Sequence, residues 1–145
     1  MSFAITFVIP GAPVAKARPR VTRNGTYTPK DTRDYEREVR LLARTAYGMS
    51  PPLDEPIHLD LVAYVPIPKS WPKRRQQAAR DGVLYPTSRP DLDNYEKAVT
   101  DGCNGIVYLD DAQIVEVCKT KRYSDHPHMW VRIASVDSAF EDDDE

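Results

Sequence analysis

From Ile57 to Val65 the chain alternates: Ile57, Leu59, Leu61, Ala63 and Val65 take every second place, with His58, Asp60, Val62 and Tyr64 between them. A period of two puts one set of side chains on each face of a strand, so this segment demands a sheet with one buried face. Pro66 and Pro68 stop it, because proline has no amide hydrogen to give a ladder. The rest of the chain has to extend that sheet or cover it. Residues 3–9 are β-branched and aromatic and end at Pro10-Gly11, which predicts a first strand. Ile114–Tyr123 and Met129–Val136 predict two more, joined through Ser124-Asp125-His126-Pro127 and expected to form an antiparallel hairpin.

Two longer helices and a short one are predicted as cover. Tyr35, Val39, Leu42, Ala43 and Ala46 recur at spacings of three and four, after Asp31 or Thr32 as cap and before Gly48. Residues 93–104 place Tyr95, Ala98, Val99, Gly102 and Cys103 on one stripe, and Trp71-Pro72 opens the short helix. The order β-α-β-(short helix)-α-β-β predicts an α+β fold, a single domain over residues 1–138 with a mixed sheet and flanking helices. At 145 residues the chain suits one domain. Residues 139–145 read as an acidic, disordered tail.

Several classes of function are excluded or disfavoured. The longest apolar runs are four or five residues, against roughly 20 for a membrane span. The opening Met1-Ser2-Phe3-Ala4-Ile5-Thr6 lacks the basic and apolar regions of a secretory signal, so a cytoplasmic protein is expected. Cys103 and Cys118 are too few for a disulfide scaffold or a four-cysteine zinc site, and are expected to be small core residues. The formal net charge of −2 depends on the five acids at 141–145: the 22 acidic residues less those five leave 17, against 20 basic ones.

Those basic residues are clustered. Lys16 to Lys30 holds five and no acid, and Asn24-Gly25 within it signals a tight turn, hence a basic loop or short hairpin. Lys16, Arg18, Arg20 and Arg23, mixed with Tyr27, suit phosphate contact without base reading. Lys69 to Arg80 again holds five basic residues and no acid; Lys73, Arg74 and Arg75 are its candidates for DNA contact, and Arg89 joins them. Solvated helix faces and loops have the same look when taken alone.

The chemistry is expected in Arg89-Pro90-Asp91-Leu92-Asp93-Asn94-Tyr95-Glu96-Lys97 and in Tyr108-Leu109-Asp110-Asp111-Ala112-Gln113. Pro90 holds Arg89 extended, so Asp91 and Asp93 are expected to point the same way, with Asp93 as helix cap, Glu96 completing a capping box and Lys97 one turn above. Each pair could serve as an ordinary cap or turn. Two carboxylate pairs flanking one helix, with a lysine between, instead suggest a site for a hard cation. Magnesium takes such oxygens while keeping several waters, and phosphodiester cleavage is the chemistry it most often serves there. Crowded carboxylates repel one another and are costly without such a role.

At these residues the chain resembles the RusA-type Holliday junction resolvases, endodeoxyribonucleases of phage and prophage origin. Asp91-Leu92-Asp93-Asn94, Lys97 and Leu109-Asp110-Asp111-Ala112-Gln113 stand as in the central motif of that family. Gly11-Ala12-Pro13-Val14-Ala15-Lys16-Ala17-Arg18-Pro19-Arg20 and Tyr27-Thr28-Pro29 are similar to its phage-type members, and the resemblance spans roughly residues 3–135. It implies that Asp91, Asp93 and Asp111 bind magnesium (manganese substituting), that Asp110 assists, and that Lys97 is the essential lysine. It also implies a homodimer with both sites facing a four-way junction, and cuts that leave 5′-phosphates. Two other readings compete: a non-catalytic nucleic-acid-binding module, and a less selective metal-dependent nuclease acting on flaps or single strands.

Other constellations carry less. His126-Pro127-His128 has no third ligand nearby in sequence and is expected as a solvated hairpin turn. Glu116 and Lys119 are three apart and face opposite sides of a strand, so they are not the acid-x-Lys element of restriction-type nucleases.

Overall fold

The computed structural model describes residues 3–17, 20–27 and 29–136. Its elements are β1 (Ala4–Pro10), β2 (Arg20–Thr22), β3 (Gly25–Tyr27), α1 (Lys30–Tyr47), β4 (Ile57–Pro66), α2 (Lys73–Arg80), α3 (Leu92–Cys103), β5 (Ile114–Ser124) and β6 (His128–Ser135), with one 3₁₀ turn at Asp111–Gln113. This is the α+β order read from the sequence, in a single domain. The basic segment forms the small β2–β3 hairpin, and Gly25 takes the positive φ of its turn, +118°. The acidic tail and Arg18 lie outside the described residues. Among the described residues, no helix is long and apolar enough to cross a membrane.

The main sheet runs β1-β6-β4-β5. It is mixed, since β6 is antiparallel to both β1 and β4 while β5 is parallel to β4. The alternating strand therefore takes an interior place, with Ile57, Leu59, Leu61 and Ala63 all buried. Val131, Ile133 and Met129 of β6 and Phe7 and Ile9 of β1 continue the same inward face. α1 packs on α3 and on β1, so the two long helices close the core over this face.

The expected β5–β6 hairpin is not formed: β4 lies between the two strands. Residues 125–127 carry the chain over the end of β4, where Pro66 has already stopped the ladder. Two strand spacings are about 9.5 Å, within reach of so short a link. His126 is exposed there, and the His128 ring stacks on Tyr64 with centroids 4.4 Å apart. A parallel β4–β5 pair in turn needs a long crossover, and residues 67–113 supply it, carrying α2 and α3.

Two further expectations fail for local reasons. Neither Asp31 nor Thr32 caps α1, which starts after Pro29; Thr32 is buried, and its hydroxyl accepts a hydrogen bond from the Ala17 amide at 3.3 Å. Cys118 is exposed on edge strand β5, on the outer face, which no described residue covers there, whereas Cys103 is in the core as expected.

Candidate active site

α3 begins one step earlier than its sequence suggests. Asp91, with extended φ and ψ, is the N-cap residue, and Asp93 lies in the first helical turn. Neither the expected Asp93 cap nor the expected common direction of Asp91 and Asp93 survives, since the helix starts between them and breaks the period of two. At about 100° per residue, Glu96, Asp93, Lys97, Asp101 and Asn94 follow one another around a little under half of the helix. The opposite side holds buried Tyr95, Ala98, Val99, Gly102 and Cys103.

The charged side has two flanks, each closed by an ammonium. On one, Lys119 of β5 donates to Asp93 at 2.5 Å and to Glu96 at 2.9 Å. On the other, Lys97 lies 3.1 Å from Asp101 and 3.3 Å from Asp111. Lys97 thus turns towards Asp111 and not to Asp93. Lys16 extends this second flank, 3.2 Å from Asp101 and 2.5 Å from Glu36 of α1. The hydrogen bond to Asp101, with Asp111 behind it, raises the Lys97 pKa, and Asp93 and Glu96 do the same for Lys119. Both are therefore ammonium donors at neutral pH. Asp111 is held below the ordinary carboxylate range by its hydrogen-bonded neighbour Asp110 and then by Lys97.

The return of Asp111, 14 residues after Lys97, is built from the core outward. Tyr108 is buried and its hydroxyl donates to the Thr100 carbonyl at 2.9 Å, drawing residues 104–108 under α3. Gly105, at φ +79°, makes the turn. Leu53 then pairs with this segment through its amide to Val107 and its carbonyl to Leu109. Gln113 completes the anchorage: its Nε2 donates to the Leu53 and Glu55 carbonyls at 2.9 and 3.0 Å, and its Oε1 accepts from the Asp110 amide at 2.9 Å. Asp111 is left half-buried against Lys97, while Asp110 is exposed.

Asp91 faces a cleft of about 440 Å³, lined also by Ala15, Lys16, Ala17, Arg89, Pro90 and Asn94. The Lys16 amide donates to the Asn94 carbonyl at 2.8 Å and holds the basic loop against the start of α3. Of the predicted DNA contacts, Arg89 is therefore at the site, and Lys16 is too, though paired with two carboxylates. Arg20 is in β2 and Arg23 is exposed in the β2–β3 turn. Lys73, Arg74 and Arg75 are exposed on α2, with the Arg75 guanidinium 4.1 Å from the centre of the Trp71 ring.

Carboxylate oxygens are donors that suit a hard cation. Among the described residues, no three His, Cys, Asp or Glu side chains stand close enough together to hold a metal ion; the carboxylates pair with the Lys97 and Lys119 ammonium groups. Magnesium asks for only one or two carboxylates besides its waters, and carboxylates at one helix end fit that demand. Sequence reasoning missed Glu96 as a charged partner, Asp101, Lys119 and the anchoring glutamine. The signal for Lys119 was there: it takes an inward place on β5, opposite Leu61, where alternation calls for an apolar side chain.

Two comparisons with known proteins bear on the chain as a whole. The family model described as "Endodeoxyribonuclease RusA" matches residues 10–134. An uncharacterised protein of Bacillus subtilis (strain 168), YqaN, is 36% identical over 137 residues, spanning 91% of this chain and 96% of its own length.

Proposed function

The chain belongs to the RusA endodeoxyribonuclease family, and on that premise we propose that it is a magnesium-dependent endonuclease that resolves four-way DNA junctions by paired symmetric cuts. The observation that supports this reading best is the approach of Lys97 and Asp111 beside a helix that opens with Asp91 and Asp93. Asp91, Asp93 and Asp111 are the proposed magnesium carboxylates, with Asp110 assisting; one or two of them beside the ion's waters would suffice to hold it. The bound ion would polarise a phosphoryl oxygen and supply an activated water. Lys97, kept protonated by Asp101 and Asp111, donates and does not accept, so its part is to stabilise the charge that develops on the phosphate oxygens. Arg89 and the basic loop bind and orient the backbone at the Asp91 cleft. Two matched cuts need two sites, and a chain with one candidate site provides them most simply as a cyclic homodimer.

The test is a labelled mobile four-way junction incubated with the protein in magnesium and in chelator, beside a linear duplex and a flap. Symmetric cuts in the junction alone, with 5′-phosphate ends, are expected in magnesium. Equal cutting of all three substrates would favour the less selective nuclease. Binding that survives chelator with no cutting anywhere would favour the non-catalytic module. Sedimentation showing only monomer, with or without junction, would remove the dimer.

A further inference from the structure

Residues 85–90 lead from α2 to Asp91, and among the described residues they make no backbone–backbone hydrogen bond. A connection with no ladder or turn bond of its own moves on the nanosecond-to-microsecond scale unless something ties it down. The tie here comes from β5. The Lys121 ammonium donates to the Ser88 carbonyl at 2.6 Å and to the Pro90 carbonyl at 3.0 Å. The Pro90 carbonyl belongs to the peptide plane that also carries the Asp91 amide, so holding it sets where the Asp91 Cα lies. Lys121 stands opposite Ala63, on the sheet face that meets α3, two places beyond Lys119. The next residue, Arg122, places its guanidinium 5.2 Å from the centre of the Tyr85 ring, at the other end of the same connection.

We propose that Lys121 is a positioning residue that clamps the backbone at Ser88 and Pro90 and thereby fixes Asp91 in the active site. Its hydrogen bonds go to no candidate carboxylate and reach the Asp91 cleft only at the Pro90 main-chain carbonyl, so it acts through the main chain. Supports of this kind typically change activity or metal affinity by about 10–100-fold when removed. The inference rests on the nuclease reading for its effect on cutting, though the clamp itself can be observed without it.

The experiment compares the parent protein with Lys121→Met, which keeps the stem and loses the donor, and with Lys121→Arg, which keeps donors for both carbonyls. Single-turnover cutting of the four-way junction should fall about 10–100-fold in Lys121→Met, with junction affinity unchanged, and should be largely restored in Lys121→Arg. Backbone ¹⁵N order parameters at Arg89 and Asp91, measured without metal, should drop in Lys121→Met and recover in Lys121→Arg. Unchanged order parameters in a folded Lys121→Met overturn the clamp, whatever happens to cutting; so does parent-rate cutting by that variant. Lys121→Gln, whose amide falls short of both carbonyls, gives the same comparison if the Met variant does not fold. A parent protein that cuts nothing would defeat the nuclease reading and leave the order-parameter test standing.

Discussion

The two sides of α3 do opposite jobs in one 12-residue helix. On the buried side the approach to α1 is so close that a Cβ on Gly102 would lie 2.6 Å from Val39 Cγ1 and 3.2 Å from the Glu36 carbonyl oxygen. Burial there also pushes the Cys103 thiol up to about 12, which leaves it unreactive. On the other side, Asp93, Glu96, Lys97 and Asp101 meet their partners in partly exposed pairs, with the Asp93 side chain 86% exposed. Pairs of this kind contribute about 0–1 kcal/mol each to folding. Packing thus sets where the helix stands to within a methyl group, and the charges are free to be selected for what they do. Variants on the two sides should separate cleanly into losses of cutting and losses of stability.

The largest effects belong to the charged side. Asp91→Asn, Asp93→Asn and Asp111→Asn should each reduce junction cutting to background while junction affinity is kept and Tm changes only slightly. Asp93→Asn is the sharpest of these, because Asp93 is not the cap and has no capping role to lose; near-normal cutting by that variant would remove Asp93 from the site. Lys97→Ala should lower single-turnover cutting by about 10²–10³-fold, the scale of one lost charge-stabilising donor, with an unchanged urea midpoint. The buried side should answer in the other currency: Gly102→Ala should cost about 1–3 kcal/mol of unfolding free energy as overpacking does. A Gly102→Ala protein with parent stability would mean that α1 and α3 yield more easily than their contact suggests.

The smallest effects are in pH. Asp111 is depressed when folded, so its contribution should be complete above the ordinary carboxylate pKa of about 3.9 and fade as pH falls through its lower folded value. Asp111→Asn should flatten the acid limb of a Tm–pH curve. His58 gives the opposite sign on the outer face of the sheet. Its Nε2 lies 2.8 Å from Asp60 and its Nδ1 3.0 Å from Glu116, which raise its pKa above 6.5, Asp60 foremost. Its contribution is full below about 6.5 and should be lost as pH rises through the folded value, amounting to under about 1 kcal/mol for so exposed a cluster. A His58→Gln variant whose Tm declines from pH 6 to 9 as steeply as the parent's would show that the histidine carries none of it.

Periodicity made most of the fold legible. The alternation at 57–65 and the stripe from Tyr95 to Cys103 both report one-sided burial, which is a property of neighbours in sequence. The pairing of β5 was not legible, because Ser124-Asp125-His126-Pro127 fits a hairpin as well as a link over another strand. The site divided in the same way. Residues clustered along the chain were visible as chemistry, but their partners were not. Asp93 meets Lys119 at 26 residues' separation, and Gln113 holds Leu53 from 60 residues away. The side of a helix on which a lysine finds its acid depends on where a distant strand ends, and nothing local to Lys97 records that.

The position of β6 has a consequence for how the chain is made. The last strand is the one that joins the first to the rest, pairing Ala4 with Ala134 on one edge and Ile57 with Ser135 on the other. Phe7 and Ile9 therefore leave the ribosome with no partner strand, and at 5–20 residues per second they wait roughly 6–25 s for residues 128–135 to follow. Until then two apolar side chains of the future core depend on solubility or on a chaperone. A message stopped at codon 125 would encode every candidate acid and lysine of the active site but would leave β1 with no strand to join it to the β4–β5 pair.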